Sequence, residues 1–301
     1  MTKHILRKFE DLGVKVIELT GGEPTIFLDF KTVLEEIFKH NLELVGILSN
    51  GSGFSAEVLK LIEENKERVA FQIDLHSIYP EYYEWFTGNR YAYEKAVDTI
   101  SKVTDTGVPV RIACNVTPKN VDHMFEIAET AHKLGATSIA FGPIAPLGRA
   151  KVNKNLILSM DSFKKFVSNM NKLINVYGKD FITTLESRPN AINCGAGWNS
   201  LTISPNFDVK ICQMASVYIE NLRRYGYSYR NFLIENSDLL QTISETPAPN
   251  DKICKNCNDL WFCHGCITRG MQKASEKGER CLWRKEILEP KPLLLEKLIK
   301  R

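Results

Sequence analysis

Seven of the eight cysteines in this chain fall after residue 190, and their spacing is the first sign of chemistry. Seventeen residues separate Cys194 from Cys212. The stretch CKNCNDLWFCHGC then sets Cys254, Cys257, Cys263 and Cys266 close together, and fourteen more residues lead to Cys281. Thiolates hold zinc and iron–sulfur clusters alike, so spacing must choose between them. A zinc ribbon separates its two Cys-x-x-Cys knuckles by about 15–20 residues, whereas only five residues separate Cys257 from Cys263. Seven thiols also exceed one tetrahedral zinc site. Two zinc sites stay open, but the spacing favours iron–sulfur ligation. Cys114 lies alone inside an apolar run and reads as a small core hydrophobe.

A second chemical signal comes early, in VIELTGGEPTIF. Gly21 and Gly22 admit backbone conformations closed to other residues and let a ligand approach the main chain. Their carbonyls, with the Glu23 carboxylate beside them, would accept hydrogen bonds from an ammonium group. Pro24 fixes the direction of exit and removes a competing donor. The turn suits an amino-acid-like cation.

Short β-branched runs must position these groups: VKVIEL, LELVGIL, RVAFQIDL, PVRIACNV and TSIAF. Amphipathic segments such as FKTVLEEIFKH, SAEVLKLIEENK, YEKAVDTISKV and VDHMFEIAETAHKLG separate them. Near-continuous apolar strands alternating with helices predict a parallel sheet covered by helices, an α/β fold of the closed or part-closed barrel kind. Ligands of such folds sit at the C-terminal strand ends. There the sequence places Gly21, Gly22, Glu23 and Pro24, then Asn50, then Asp74 in Asp74-Leu75-His76-Ser77, then Asn115, and finally FGPIAPLGRA.

Lys and Arg number 39 against 36 Asp and Glu, a formal net charge of +3 that makes no strong field. No basic stripe with interleaved aromatics points to nucleic acid. The opening MTKHILRKFEDLG reads as a polar amphipathic helix rather than a signal peptide, and no apolar run approaches membrane-spanning length, so a soluble cytoplasmic protein is expected.

Taken together, the Gly-Gly-Glu-Pro turn, the polar strand ends and the cysteine array resemble the radical S-adenosylmethionine (radical SAM) enzymes that carry a SPASM domain. HSIYPEYYEWFTGN and PLGRA look like peptide-modifying members. The resemblance implies a partial (β/α)6 barrel over residues 1–178, lacking its first strand. A small cysteine-rich α+β iron–sulfur domain with a helical tail would fill 179–301. It implies that the Gly-Gly-Glu-Pro turn holds the SAM ammonium and that Asn50, Asp74 and Asn115 line the cofactor site. It implies two auxiliary 4Fe–4S clusters, one on Cys254, Cys257, Cys263 and Cys281, the other on Cys194, Cys212 and Cys266. The second has an open iron that His264 could fill, although a His between two ligands is more often turned away.

Three departures stand out. Phe207 occupies a position where the family pattern has Gly, with Asn206 and Asp208 as candidates for making the turn. Two residues, not three, separate Cys263 from Cys266. The Cys-x3-Cys-x2-Cys motif that binds the SAM-cleaving cluster is absent from these 301 residues. The expectation is a late-starting or truncated form of an enzyme that modifies a peptide or small-protein side chain through a 5′-deoxyadenosyl radical, fed by a ferredoxin or flavodoxin. Side-chain oxidation or decarboxylation of a tetrapyrrole is the alternative, as is a degenerate iron–sulfur scaffold without catalysis.

Overall fold

The structure, a computed structural model, describes residue 9 and residues 12–146, 148–184 and 192–299. It divides into two compact units, residues 1–185 and 186–301. Most of the helix expected at the start of the chain lies outside the described residues, as does Leu147 of PLGRA.

Six strands build the front unit: β1 (Val16–Leu19), β2 (Leu44–Ser49), β3 (Val69–Asp74), β4 (Val110–Val116), β5 (Ser138–Pro143) and β6 (Ile182–Thr184). They lie in sequence order and each pairs in parallel with the next. Helices α1 (Phe30–Ile37), α2 (Ala56–Glu63), α3 (Pro80–Thr87), α4 (Ala92–Thr104), α5 (Met124–Lys133) and α6 (Met160–Tyr177) form the crossovers. This is the part-barrel the alternation predicts. Local chemistry fixes the helix ends. Ser55 and Ser159 accept the Val58 and Ser162 amides at 3.3 and 3.2 Å, and Gly88 (φ 77°) closes α3 in the left-handed region.

Alternation along each strand decides what faces the helices. Val69, Phe71 and Ile73 of β3 are buried in the helix-side core with Ile47, Val110, Ile112, Ile139 and Phe141. Their neighbours Ala70, Gln72 and Asp74 are only half-buried, because they point to the other face. Burying each large apolar side chain stabilises by about 1.5–3 kcal/mol, so strand register is strongly specified. A one-residue slip would turn Asp74 into the core.

The sixth strand carries the front unit to residue 185, beyond the expected boundary at 178. Ile182 and Thr183 pair with Ile139 and Ala140 of β5, and a strand of three residues leaves no periodic trace in the sequence.

In the back unit β7 (Thr202–Ile203), β8 (Asp208–Lys210) and β9 (Glu220–Asn221) form a small antiparallel sheet. Helices α7 (Tyr229–Glu235), α8 (Ser237–Ser244), α9 (Leu260–Cys263) and α10 (Ile267–Lys277) follow. Pro205 and Asn206 make the β7–β8 turn, which the Phe207 amide closes on the Ser204 carbonyl at 2.9 Å, and Phe207 follows at φ 70°. A bulky residue in that region costs about 1–2 kcal/mol. Offsetting contacts come from Tyr227 edge-on at 5.0 Å and Arg223 over the ring at 5.7 Å. Of the two residues expected to supply the turn, Asn206 lies in it and Asp208 begins β8; both accept bonds from Asn221 Nδ2, at 2.9 and 2.7 Å, which hold the turn in shape.

Candidate functional site

At the end of β1, Gly21 and Gly22 both take positive φ, 92° and 43°. Both glycines are exposed, and a Cβ at either would meet nothing within 4 Å. The glycines are there for conformation, and the room beside them is available to a ligand. Glu23 is buried, and its carboxylate already has protein donors. Ser49 Oγ donates to Oε1 at 2.9 Å, the Thr25 amide to Oε1 at 3.2 Å and the Asn50 amide to Oε2 at 2.6 Å. The sequence reading gave Glu23 direct contact with an ammonium. The geometry also makes it a clamp that fastens the Gly-Gly turn of β1 to the end of β2.

Beyond β2, Asn50 is exposed and accepts from the Ser52 amide at 2.9 Å. Gly51 (φ 78°) packs so closely on α4 that an added Cβ would lie 2.8 Å from Ala96 Cα. The loop therefore sits directly on the helix, and Thr99 Oγ1 donates to the Gly51 carbonyl at 2.9 Å.

Asp74 ends β3, half-buried on the face away from the helices, and Asn115 near the end of β4 is also half-buried. His76 stands between them. The Asn115 amide donates to His76 Nδ1 at 3.3 Å, which leaves the ring proton on Nε2, 3.7 Å from Asp74 Oδ2. Fully buried Asn120 ties the two strand ends together. Its Nδ2 donates to the carbonyls of His76 and Asn115 at 2.7 and 3.0 Å, and its Oδ1 accepts from the Thr117 amide at 2.7 Å. Thr117 Oγ1 also reaches that oxygen at 3.2 Å, so Tyr82 donates its own hydroxyl proton to Thr117 at 3.0 Å. Tyr83 Oη accepts the His76 amide at 3.1 Å. His76, Asn120, Tyr82 and Tyr83 escaped the sequence reading as site residues, since each alone looks like an ordinary rim or helix residue. The signal was HSIYPEYYEWFTGN, which supplies three of them. Cys114 is fully buried beneath this network, and burial pushes its thiol up.

Burial also lowers the His76 pKa below 6.5, against the pull of Asp74, whose own pKa burial raises above 3.8. The folded chain keeps His76 neutral, while the unfolded chain binds a proton below about pH 6.5. The stability this imidazole contributes is whole above that pH and is lost as pH falls toward its folded value. Asp74 has the opposite sign, so the comparison must isolate His76. Thermal unfolding of the front unit from pH 7.5 to 5 should show the native chain losing stability relative to His76→Gln. Parallel curves would show that His76 is already charged when folded.

The cysteines of the back unit fall into two sets. Cys254, Cys257, Cys263 and Cys281 line one cavity with Asp259, Gly270, Lys273, Lys277 and Trp283. Burial raises the thiol pKa of Cys254, and of Cys263 to about 12. Lys277 is ion-paired with Asp259 and lies 4.0 Å from Cys257 Sγ. Gly270 makes this fit possible, since a Cβ there would sit 2.6 Å from Pro249 and 3.0 Å from Trp283. The second set is Cys194, Cys212 and Cys266. The Cys266 thiol donates to Cys194, which lowers Cys194 to about 5 and keeps Cys266 protonated. Cys212 Sγ is 3.0 Å from Thr268 Oγ1. Among the described residues no three His, Cys, Asp or Glu side chains converge on a single metal ion. His264 does not face either set: it is exposed, with Nε2 3.3 Å from Asp251.

Cys194 is positioned by its neighbour. Buried Asn193 donates through Nδ2 to the carbonyls of Ile243, Ser244 and Thr246 at 3.0, 3.3 and 2.9 Å, and accepts from the Gly195 amide and Trp198 Nε1, both at 2.9 Å.

Residues 2–131 match the family model of the radical SAM superfamily. Over those residues the front unit is similar to that superfamily, a likeness that implies SAM and 4Fe–4S cluster chemistry. Among curated relatives, the antilisterial bacteriocin subtilosin biosynthesis protein AlbA of Bacillus subtilis is 28% identical over 282 residues. The match takes in 91% of this chain but 62% of AlbA, so the chain spans less than two thirds of that relative. A probable GTP 3′,8-cyclase of Sulfurisphaera tokodaii is 24% identical over 213 residues, 67% of each chain. Streptococcus suis SuiB bound to precursor peptide SuiA superposes with a TM-score of 0.68 at 16% identity, over 90% of this chain and 65% of SuiB. Native anSMEcpe with bound AdoMet and the Cp18Cys peptide gives 0.67 at 16%, over 90% and 81%. Coverage of 90% must include most of the cysteine-rich back unit, so both units share their folds with these two proteins. No helix among the described residues is long and apolar enough to cross a membrane.

Proposed function

We propose that this chain is the barrel and auxiliary-cluster part of a radical SAM/SPASM enzyme that modifies a peptide or small-protein side chain. The observation that carries the proposal is a fold likeness spanning both units to proteins solved with peptides bound, SuiB with SuiA and anSMEcpe with Cp18Cys. AlbA, a bacteriocin biosynthesis protein, supports the same substrate class. The tetrapyrrole alternative finds no support among these relatives.

Bound SAM, reduced by a 4Fe–4S cluster, supplies the radical that abstracts hydrogen. The residues of this chain hold and orient. The Gly21 and Gly22 carbonyls would take the SAM ammonium, with Glu23 keeping their turn in shape, and Asn50, Asp74 and Asn115 would line the remaining rim. The His76–Asn115–Asn120–Thr117–Tyr82 chain locks two strand ends at one spacing, which fixes where a substrate carbon can rest. In the back unit, Cys254, Cys257, Cys263 and Cys281 would hold one auxiliary cluster, and Cys194, Cys212 and Cys266 the other. The donor set fits: seven thiols, already sorted four and three, with Cys254, Cys263 and Cys266 buried. A ferredoxin or flavodoxin would supply electrons.

Anaerobic reconstitution should load about eight irons per chain with matching sulfide and no stoichiometric zinc. Cys254→Ala with Cys281→Ala should remove about half of that iron. Two zincs and little iron would remove the auxiliary-cluster assignment. For the substrate, a labelled peptide encoded beside the gene should bind the reconstituted chain in a fluorescence anisotropy titration. Binding of a porphyrin precursor in place of every such peptide would favour the tetrapyrrole reading.

A further inference from the structure

Helix α10 begins between the two cysteine sets, and its first turn is aimed at one of them. Cys266 is its N-cap. The Ile267 amide, together with that of Ala196, points to Cys194, and the Arg269 amide to Cys266. Cys212 is the third member of the set, and it is served by a side chain instead: Thr268 Oγ1, 3.0 Å from its sulfur. Thr268 is buried, with 7% of its surface exposed. A threonine in a helix ordinarily returns its hydroxyl to a carbonyl one turn back. This one is spent on a sulfur fifty-six residues away in the chain.

The direction of that bond follows from chemistry. With a free thiol, either atom is able to donate. A cysteine that ligates iron has lost its proton, so only the hydroxyl has one to give. Hydrogen bonds to ligand sulfur withdraw electron density and favour the more negatively charged, reduced state of a cluster. We propose that Thr268 is a positioning residue that donates its hydroxyl proton to the Cys212 thiolate and sets the reduction potential of the three-cysteine cluster. The proposal rests on the auxiliary-cluster reading above. The cavity of the four-cysteine set is lined instead by charged groups, Asp259, Lys273 and Lys277, the last 4.0 Å from Cys257 Sγ.

The test is an EPR-monitored redox titration of the reconstituted full chain, with iron and sulfide counted in each sample. Thr268→Val keeps the shape and removes the donor. It should shift the reduction equilibrium of one cluster about tenfold toward the oxidised form, which for one electron is a midpoint lower by about 59 mV. The other cluster should keep its midpoint. Thr268→Ser retains the hydroxyl and should titrate like the native protein, and Thr268→Ala should repeat the valine result if valine does not fold. Full iron with coincident native and valine midpoints would overturn the proposal and leave the cluster reading standing. So would a serine variant that shifts as far as valine, since the methyl would then be the cause. A folded valine chain without these irons would also overturn it, by making the hydroxyl a requirement for assembly. A native chain showing no second cluster signal would sink the cluster reading itself, and this proposal with it.

Discussion

Glu23→Ala should release the Gly-Gly turn, cut SAM affinity by about a hundredfold, and lower the thermal stability of the front unit. The carboxylate holds three donors, from Ser49, Thr25 and Asn50, that no other group replaces. A hydrogen bond to a charged group contributes about 1.5–3 kcal/mol, and a donor left buried without its partner costs a similar amount. Two glycines with positive φ and open surroundings have nothing else to keep their carbonyls facing one way. The affinity loss would thus arise through the turn's shape rather than through a lost salt bridge to the ligand. Glu23→Gln discriminates. It preserves size but turns one acceptor oxygen into a donor facing Ser49 or the Asn50 amide, and should fall between alanine and native. Calorimetric titration with SAM reads affinity, and the EPR spectra of the auxiliary clusters should stay unchanged, because their ligands belong to the other unit. Native affinity in both variants would show that the turn binds something other than an ammonium.

Under strong reduction, the 301 residues alone should form no 5′-deoxyadenosine above background, even with both auxiliary clusters loaded. Reductive cleavage needs an electron delivered at the sulfonium from a cluster in contact with the SAM amino and carboxylate groups. Of the eight cysteines here, Cys114 is single and fully buried, and the other seven lie in two sets within the back unit. Supplying a Cys-x3-Cys-x2-Cys segment ahead of residue 1 should convert a null result into measurable turnover. Chromatographic detection of 5′-deoxyadenosine from the 301-residue chain would mean that the SAM-cleaving cluster is built from cysteines assigned above to other work.

The sequence exposes the strands because β-branched runs such as RVAFQIDL must bury one face against helices, and burial leaves a period. Cysteine spacing is legible for a related reason: few backbones carry thiols to a common point, so the gap between Cys257 and Cys263 is already geometric. What stays hidden depends on distant partners. Glu23 reads as a ligand-binding carboxylate, with nothing to show that Ser49 and the Asn50 amide also bind it. His76 reads as one more polar residue until Asn115 and Asn120, about forty residues on, fix its tautomer and its carbonyl. Phe207 shows the limit from another side. Propensity finds the turn at Asn206 but not the positive φ one residue on, where packing by Tyr227 and Arg223 keeps the aromatic ring at the strained position.

Asn193 has a bearing on how the protein survives in a cell. Small metal-dependent domains commonly stay unfolded until loaded, and are then exposed to proteolysis. Here a neutral amide, indifferent to metal supply, already ties the Cys194 loop to the end of α8. The bonds that shape this loop thus involve no thiol, and a Cys194→Ala chain should keep them and resist limited proteolysis as the native chain does.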